Sequence, residues 1–166
     1  MKGTSNEQLL SMVKGDRHQV FVCECPIPIP FNIGRHAWFV CVTPGLLPER
    51  YELLYRPTDR YSERFGFLYK NALPPFGVVP EFNEWITRDP NNVVTLRGIV
   101  EGEVAAAMIK VITATPHTYP YTDHYRVIPG PNSNTYVAWV LEQFDTDITL
   151  SWRAFGKSYP VRLSRD

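Results

Sequence analysis

Residues 129–137 read Pro-Gly-Pro-Asn-Ser-Asn-Thr-Tyr-Val, and inside this stretch a proline-stiffened path gives way to apolar periodicity. Asn132 or Ser133 suits a helix N-cap, because the side-chain oxygen of either accepts bonds from first-turn amides that lack an intrahelical partner. Tyr136, Val137, Val140, Leu141 and Phe144 then recur at helical spacing and predict a buried stripe. A helix with such a face needs a partner layer, and the rest of the chain offers strands. From His18 to Cys25 the residues alternate, with Val20 and Val22 on one face and Phe21, Cys23 and Cys25 on the other. The Pro-Ile-Pro-Ile-Pro run at 26–30 is expected to end that strand. Arg35 to Val42 predicts a second strand, Tyr51 to Tyr55 a third, and Val93 to Leu96 another, after the Asn91-Asn92 turn signal.

Two more helices are expected. Ser5 to Val13 carries a polar cap candidate and Leu9, Leu10 and Val13 at helical spacing, with Gly15 as its stop. Glu101-Gly102-Glu103 opens a segment with Val104, Ala105, Met108, Ile109 and Ile112 on one face, and the early acids suit a helix N-terminus. The stretch 57–90, rich in aromatics and proline, shows no sustained period and predicts a long irregular excursion. Ile148 to Leu163 predicts one or two short strands. The fold class is therefore α+β, an antiparallel sheet packed against helices.

The 166 residues predict one domain, 1–166, with a core large enough to fold without staples. Lys plus Arg count 17 and Asp plus Glu 17, a balance that argues against a nucleic-acid footprint. Arg50, Arg56, Arg60 and Arg64 are offset by Glu49, Glu52, Asp59 and Glu63, which reads as a solvated mixed-charge surface. No segment approaches the roughly 20 continuous apolar residues of a membrane span, and the N-terminal sequence lacks a signal-peptide pattern, so a cytoplasmic location is expected. Cys23, Cys25 and Cys41 fall in apolar runs and read as packing residues. Cys23-x-Cys25 near His18 lacks the paired spacing of structural zinc, and the glycines form neither a phosphate loop nor a dinucleotide fingerprint; no metal or cofactor is expected.

Several segments together carry a resemblance: Gly102-Glu103-Val104-Ala105, Tyr119-Pro120-Tyr121, Tyr125 and the unbroken run 129–137 resemble the bacterial family catalogued as domain of unknown function 3750, with His36-Ala37-Trp38-Phe39-Val40 a looser match to its early His-aromatic strand. More distantly, the order of a strand His followed by Asn132-Ser133-Asn134-Thr135-Tyr136-Val137 is similar to circularly permuted papain-like proteins, including NlpC-type peptidases and lecithin retinol acyltransferase relatives, in which an Asn-Cys-x-Thr-Phe-Val helix start carries the nucleophile. Ser133 stands where that superfamily has its Cys. The resemblance implies a permuted papain-like arrangement, with Ser133 as nucleophile and His36 as base.

A hydroxyl at a helix start sits among unsatisfied amides that can hold an oxyanion, but it needs a base within about 3 Å to attack. His36 is the base the resemblance selects. Glu52, on the next strand, is the nearest group in chain order to orient its ring, with Asn132 or Tyr125 as alternatives. Asn132, Asn134, Tyr121 and Tyr125 are candidate substrate-binding residues, and the tyrosines Tyr119, Tyr121, Tyr125 and Tyr136 either line an apolar cleft or fill the core. His117 and His124 are further acid–base groups expected at the surface. Ser133 can equally be a helix cap, His36 a core histidine and Glu52 a solvated residue. Two functions follow: an amide or ester hydrolase or acyltransferase, or a pseudoenzyme whose cleft binds a peptide, lipid or protein partner. A third is an interaction module that uses the 57–90 excursion as its contact surface.

Overall fold

A computed structural model describes residues 4–27, 33–55, 63–78 and 94–161. Its elements in chain order are α1 (Asn6–Ser11), β1 (Gln19–Ile27), β2 (Gly34–Val42), β3 (Glu49–Leu53), β4 (Glu63–Phe65), β5 (Leu68–Lys70), β6 (Thr95–Glu101), α2 (Gly102–Thr118) and α3 (Ser133–Leu141). The strands form one antiparallel sheet in the order β4-β5-β3-β2-β1-β6, so the α+β expectation holds.

Both faces of the sheet are covered, and strand alternation decides which side chain goes where. Val20, Val22, Ala37, Phe39, Cys41, Tyr51 and Leu53 meet Ala105, Met108 and Ile112 of α2 and Tyr136, Val137 and Val140 of α3. On the opposite face Phe21, Cys23, Cys25, Trp38, Val40 and Val42 pack with Leu9 of α1, Phe76 and Val94. The three thiols are free and buried, and burial pushes that of Cys25 up to about 12. They serve as packing groups.

The helix starts follow local chemistry. Ser5 caps α1 through a reciprocal pair with Gln8. β6 runs into α2 with no intervening residue, a turn that Gly102 permits by adopting φ +71°. Glu101, at the N-cap, makes no capping bond and instead pairs with Lys14 at 2.9 Å and Gln19 at 2.7 Å.

The chain departs from the sequence expectations in four places. β1 continues through Pro26, which lies opposite Arg35. The Arg35 amide and carbonyl point away from β1, to Arg153 O and the Asn134 side chain, so this pair exchanges no ladder bonds. The missing N–H of Pro26 then faces the side where β6 has already ended, at Thr95 opposite Glu24. The excursion contains a hairpin, β4 and β5, turned at Gly66 and Phe67. Its strands are too short to show a period. α2 runs to Thr118 with Pro116 in its last turn, and Val104 is exposed while Thr115 joins the buried face. The tail 148–161 forms turns and irregular chain with no strand, because its backbone groups bond to the start of α3. The Asn91-Asn92 turn, Arg56, Asp59, Arg60 and most of 57–90 lie outside the described residues. No helix among those described is long and apolar enough to cross a membrane.

Candidate active site

The site begins with the cap of α3. Asn132 is extended (φ −151°, ψ −168°), and its Oδ1 accepts from the amides of Asn134 at 2.9 Å and Thr135 at 3.2 Å. Its own amide donates to Thr135 Oγ1, completing a capping box. Asn132 Nδ2 donates to Val127 O and Phe155 O, Asn134 Nδ2 to Arg35 O and Phe155 O, and Thr135 Oγ1 to Gly156 O. These bonds fix the helix start against the edge of β2 and the turn at 153–156. Gly156 sits so close to Asn132, at φ +89°, that any Cβ would collide with the Asn132 amide. The side-chain amides of Asn132 and Asn134, expected to meet substrate, position the helix through backbone bonds in this geometry, although Asn134 Oδ1 is buried without a hydrogen-bond partner.

The same docking brings Ser133 to His36. The ladder between β2 and β3 begins only at Phe39 opposite Tyr51, three positions beyond His36, so the start of α3 fits beside the first half of β2. Ser133 Oγ lies 2.9 Å from His36 Nδ1, and His36 Nε2 lies 2.8 Å from Glu52 Oε2. Ser133, His36 and Glu52 are 2%, 7% and 0% exposed, so this relay is shielded from bulk water.

Arg50 completes the far end. Its Nη2 donates to Glu52 Oε2 at 2.7 Å, and its Nη1 donates to the carbonyls of Pro74 and Gly77. Its guanidinium lies 4.2 Å from the centroid of the Trp38 ring, which in turn stacks on His36. Such a desolvated cation–π contact is worth about 2 kcal/mol. Burial alone pushes the Glu52 carboxyl up; the Arg50 charge, the His36 hydrogen bond and the Arg50 hydrogen bond outweigh it and hold the carboxyl below its ordinary value. An ionised Glu52 can only accept, so His36 Nε2 carries a proton, and in the neutral ring Nδ1 presents its lone pair to the Ser133 hydroxyl. That is the tautomer a general base needs. The ring is turned over relative to the familiar Ser-His-Asp triad, where Nε2 faces the serine.

The charged cluster around Arg50 therefore departs from the solvated surface that its composition suggested: Arg50 and Glu52 are both buried, whereas Glu63 and Arg64 are exposed. Arg50 and Trp38 were missed as site residues, although Arg50-x-Glu52 and His36-x-Trp38 each place two side chains on one strand face.

Tyr125 is the remaining contact. Burial pushes its phenol up to about 12, with the neighbouring Ser133 side chain and backbone opposing that rise, so it stays protonated at neutral pH. Its ring meets Tyr55 and Phe67. With the Asn134 and Thr135 amides already bound by Asn132, the first turn offers one amide at Ser133, not the row expected of a helix start. Tyr121 is half-buried against Tyr119 and Tyr159, and Tyr119 and Tyr136 belong to the core. His117 and His124 are exposed. Among the described residues no group of three or more His, Cys, Asp or Glu is arranged to hold a metal ion.

Residues 19–159 match the family described as protein of unknown function DUF3750, and the chain belongs to that family. No curated protein and no solved structure matches it.

Proposed function

We propose that the protein is a serine-dependent acyl-transfer enzyme, an amide or ester hydrolase or an acyltransferase, with a fold of the circularly permuted papain-like kind. The observation that carries this reading is the buried chain of contacts Ser133–His36–Glu52, at 2.9 and 2.8 Å. In the first step His36 Nδ1 takes the Ser133 proton as Oγ bonds to the substrate carbonyl carbon, and the carbonyl π electrons move onto oxygen. Glu52 keeps its charge, holds Nε2–H and stabilises the imidazolium. The tetrahedral intermediate collapses to an acyl-serine as the leaving group departs with the proton from His36. Water or another acceptor, activated by the same base, then takes the acyl group.

The oxyanion is assigned to the Ser133 amide and the Tyr125 hydroxyl. Tyr125 lies beside Ser133, and a protonated phenol is a donor that can turn toward an oxygen bound there. Tyr121 and Tyr125 form the half-buried wall offered to a peptide or acyl substrate.

A second reading, a non-catalytic module binding a peptide, lipid or protein partner, has its own support: Ser133 is only 2% exposed and replaces the more nucleophilic thiol of the permuted papain-like pattern. A serine-directed fluorophosphonate separates the two. The catalytic reading expects a single adduct on Ser133 of the folded protein between about pH 6 and pH 9, formed far more slowly in His36→Ala. Absence of labelling across that range favours the binding module.

A further inference from the structure

On the helix side of the sheet, across β2 from Ser133, a cavity of about 430 Å³ opens between β1, β2, β6 and the segment 150–153. Its polar lining includes Glu24, Arg35, Arg97, Ser151 and Arg153. Arg35 and His36 are neighbours on β2, and strand alternation sends one side chain toward each site. The volume falls within the range of small-molecule pockets, about 300–1,000 Å³.

The polar groups of this cavity are left incomplete. Glu24 is fully buried; its Oε1 accepts from the Ser151 amide at 2.8 Å, but its Oε2 has no hydrogen-bond partner and only Arg97 Nε at 4.0 Å. Ser151 Oγ and Arg153 Nε are likewise buried without a partner. Buried polar atoms are nearly always bonded, and of the eight buried side-chain atoms without a partner among the described residues three gather around this one cavity, where a polar molecule can complete them.

The charges state what that molecule carries. Three guanidinium groups against one carboxylate give the cavity a surplus of positive charge. The Arg97 fork is already bonded to Thr149 O, at 2.9 and 2.7 Å, whereas the Arg35 guanidinium makes no hydrogen bond or ion pair among the described residues. Arg97 is the extra residue of a bulge, since Val22 pairs with Gly98 and Cys23 with Leu96. Bulges of this type re-aim a side chain and are frequent beside binding sites. The apolar wall consists of Leu150 and the Trp152 ring, which is 70% exposed at the rim with Arg153 5.1 Å from its centroid.

We propose that this cavity is a binding site for a small amino or hydroxy acid with an apolar side chain: its carboxylate on Arg35 and Arg153, its ammonium or hydroxyl on Glu24 Oε2, and its side chain against Leu150 and Trp152. The inference stands independently of the chemistry at Ser133.

Calorimetric titration of the full chain with four matched compounds tests it. L-Phenylalanine carries the anion and an ammonium, 3-phenyllactate the anion and a hydroxyl, 3-phenylpropionate the anion alone, and phenethylamine the ammonium alone. Saturable binding is expected for phenylalanine or phenyllactate, with phenylpropionate and phenethylamine at least about tenfold weaker, the scale of one lost charge-assisted hydrogen bond. Whichever of the first two binds identifies the group facing Glu24. Arg153→Ala, a change at a partly exposed position, is expected to weaken that binding at least about tenfold. Glu24→Gln keeps the shape and the Ser151 contact and is expected to erase the preference over phenylpropionate. No saturable binding by either acid, equal binding by phenylpropionate, or binding unchanged in Arg153→Ala overturns the proposal.

Discussion

Glu52 and Glu24 are both fully buried carboxylates of one sheet, on opposite faces, and the protein treats them differently. Glu52 has a cation at 2.7 Å and an imidazole at 2.8 Å on the same oxygen, and its guanidinium partner is fixed by two carbonyls and an indole ring. Each carboxylate leaves one oxygen, Glu52 Oε1 and Glu24 Oε2, without a hydrogen bond, but Glu24 accepts only from the Ser151 amide and has its nearest cation at 4.0 Å. A buried charge that is paired this closely keeps its position and its ionisation before any ligand arrives, which preorganised base catalysis requires. A buried carboxyl whose nearest cation stands 4.0 Å away has room for a closer partner. On the readings proposed above, the first site acts on a group and the second holds one.

The largest expected effect lies at the first site. Ser133→Ala removes fluorophosphonate labelling entirely, and His36→Ala slows it by about 10²–10⁴, the usual contribution of a positioned base; mass spectrometry of the labelled peptide reads both. Next comes Arg50→Met, which leaves Glu52 buried beside only His36. Removing one partner of a buried pair costs about 3–5 kcal/mol, measurable by urea unfolding. The pH dependence carries the sign: the folded-state carboxyl of Glu52 titrates below its ordinary value of 4.5, so its contribution is whole above that value and is lost as pH falls through the depressed one. In Arg50→Met the acid-side loss of stability begins at higher pH. Equal acid profiles for the two proteins would show that Arg50 does not set the state of Glu52.

Tyr125→Phe removes one proposed oxyanion donor and is expected to lower the labelling rate about 10²-fold, at the modest end of such losses because the Ser133 amide remains. Its unfolding midpoint should move little. A rate equal to that of the unaltered protein would remove Tyr125 from the mechanism. The smallest effect is Asn132→Ala, which uncaps α3 and is expected to cost about 1–2 kcal/mol, with labelling falling as the helix start loosens from the 153–156 turn.

How much of this was legible in the sequence follows from the range of the interactions. Alternation along β1 and β2 and the capping residues before α3 are local signals, and they gave the strands, the helix start and the faces of Val20, Phe21, Cys23 and Cys25. The pairing of His36 with Ser133 came from a resemblance in residue order, because nothing local to either segment states that they meet. Arg50 escaped notice because the surrounding run of charges looked solvated, and burial is a tertiary property: Trp38 from β2 and the carbonyls of Pro74 and Gly77 cover it. The cap of α3 was read correctly, but its consequence was not. The side-chain oxygen that starts the helix also occupies two of the amides expected to face an oxyanion. The tail was misread as strand because its carbonyls at 153, 155 and 156 bond to Arg35, Asn132, Asn134 and Thr135, partners remote in sequence.

The claim on which the account turns is that His36 activates whatever side chain stands at position 133. Ser133→Cys reports on this without a known substrate, because the three native thiols are buried and raised out of the reactive range. The pH profile of iodoacetamide alkylation is the measurement, compared with the same variant carrying His36→Ala. The account predicts alkylation persisting well below the ordinary thiol value of about 8.5, with the profile returning to that value when His36 is removed. A thiol at 133 that is inert, or that titrates as a free cysteine whether or not His36 is present, would contradict it.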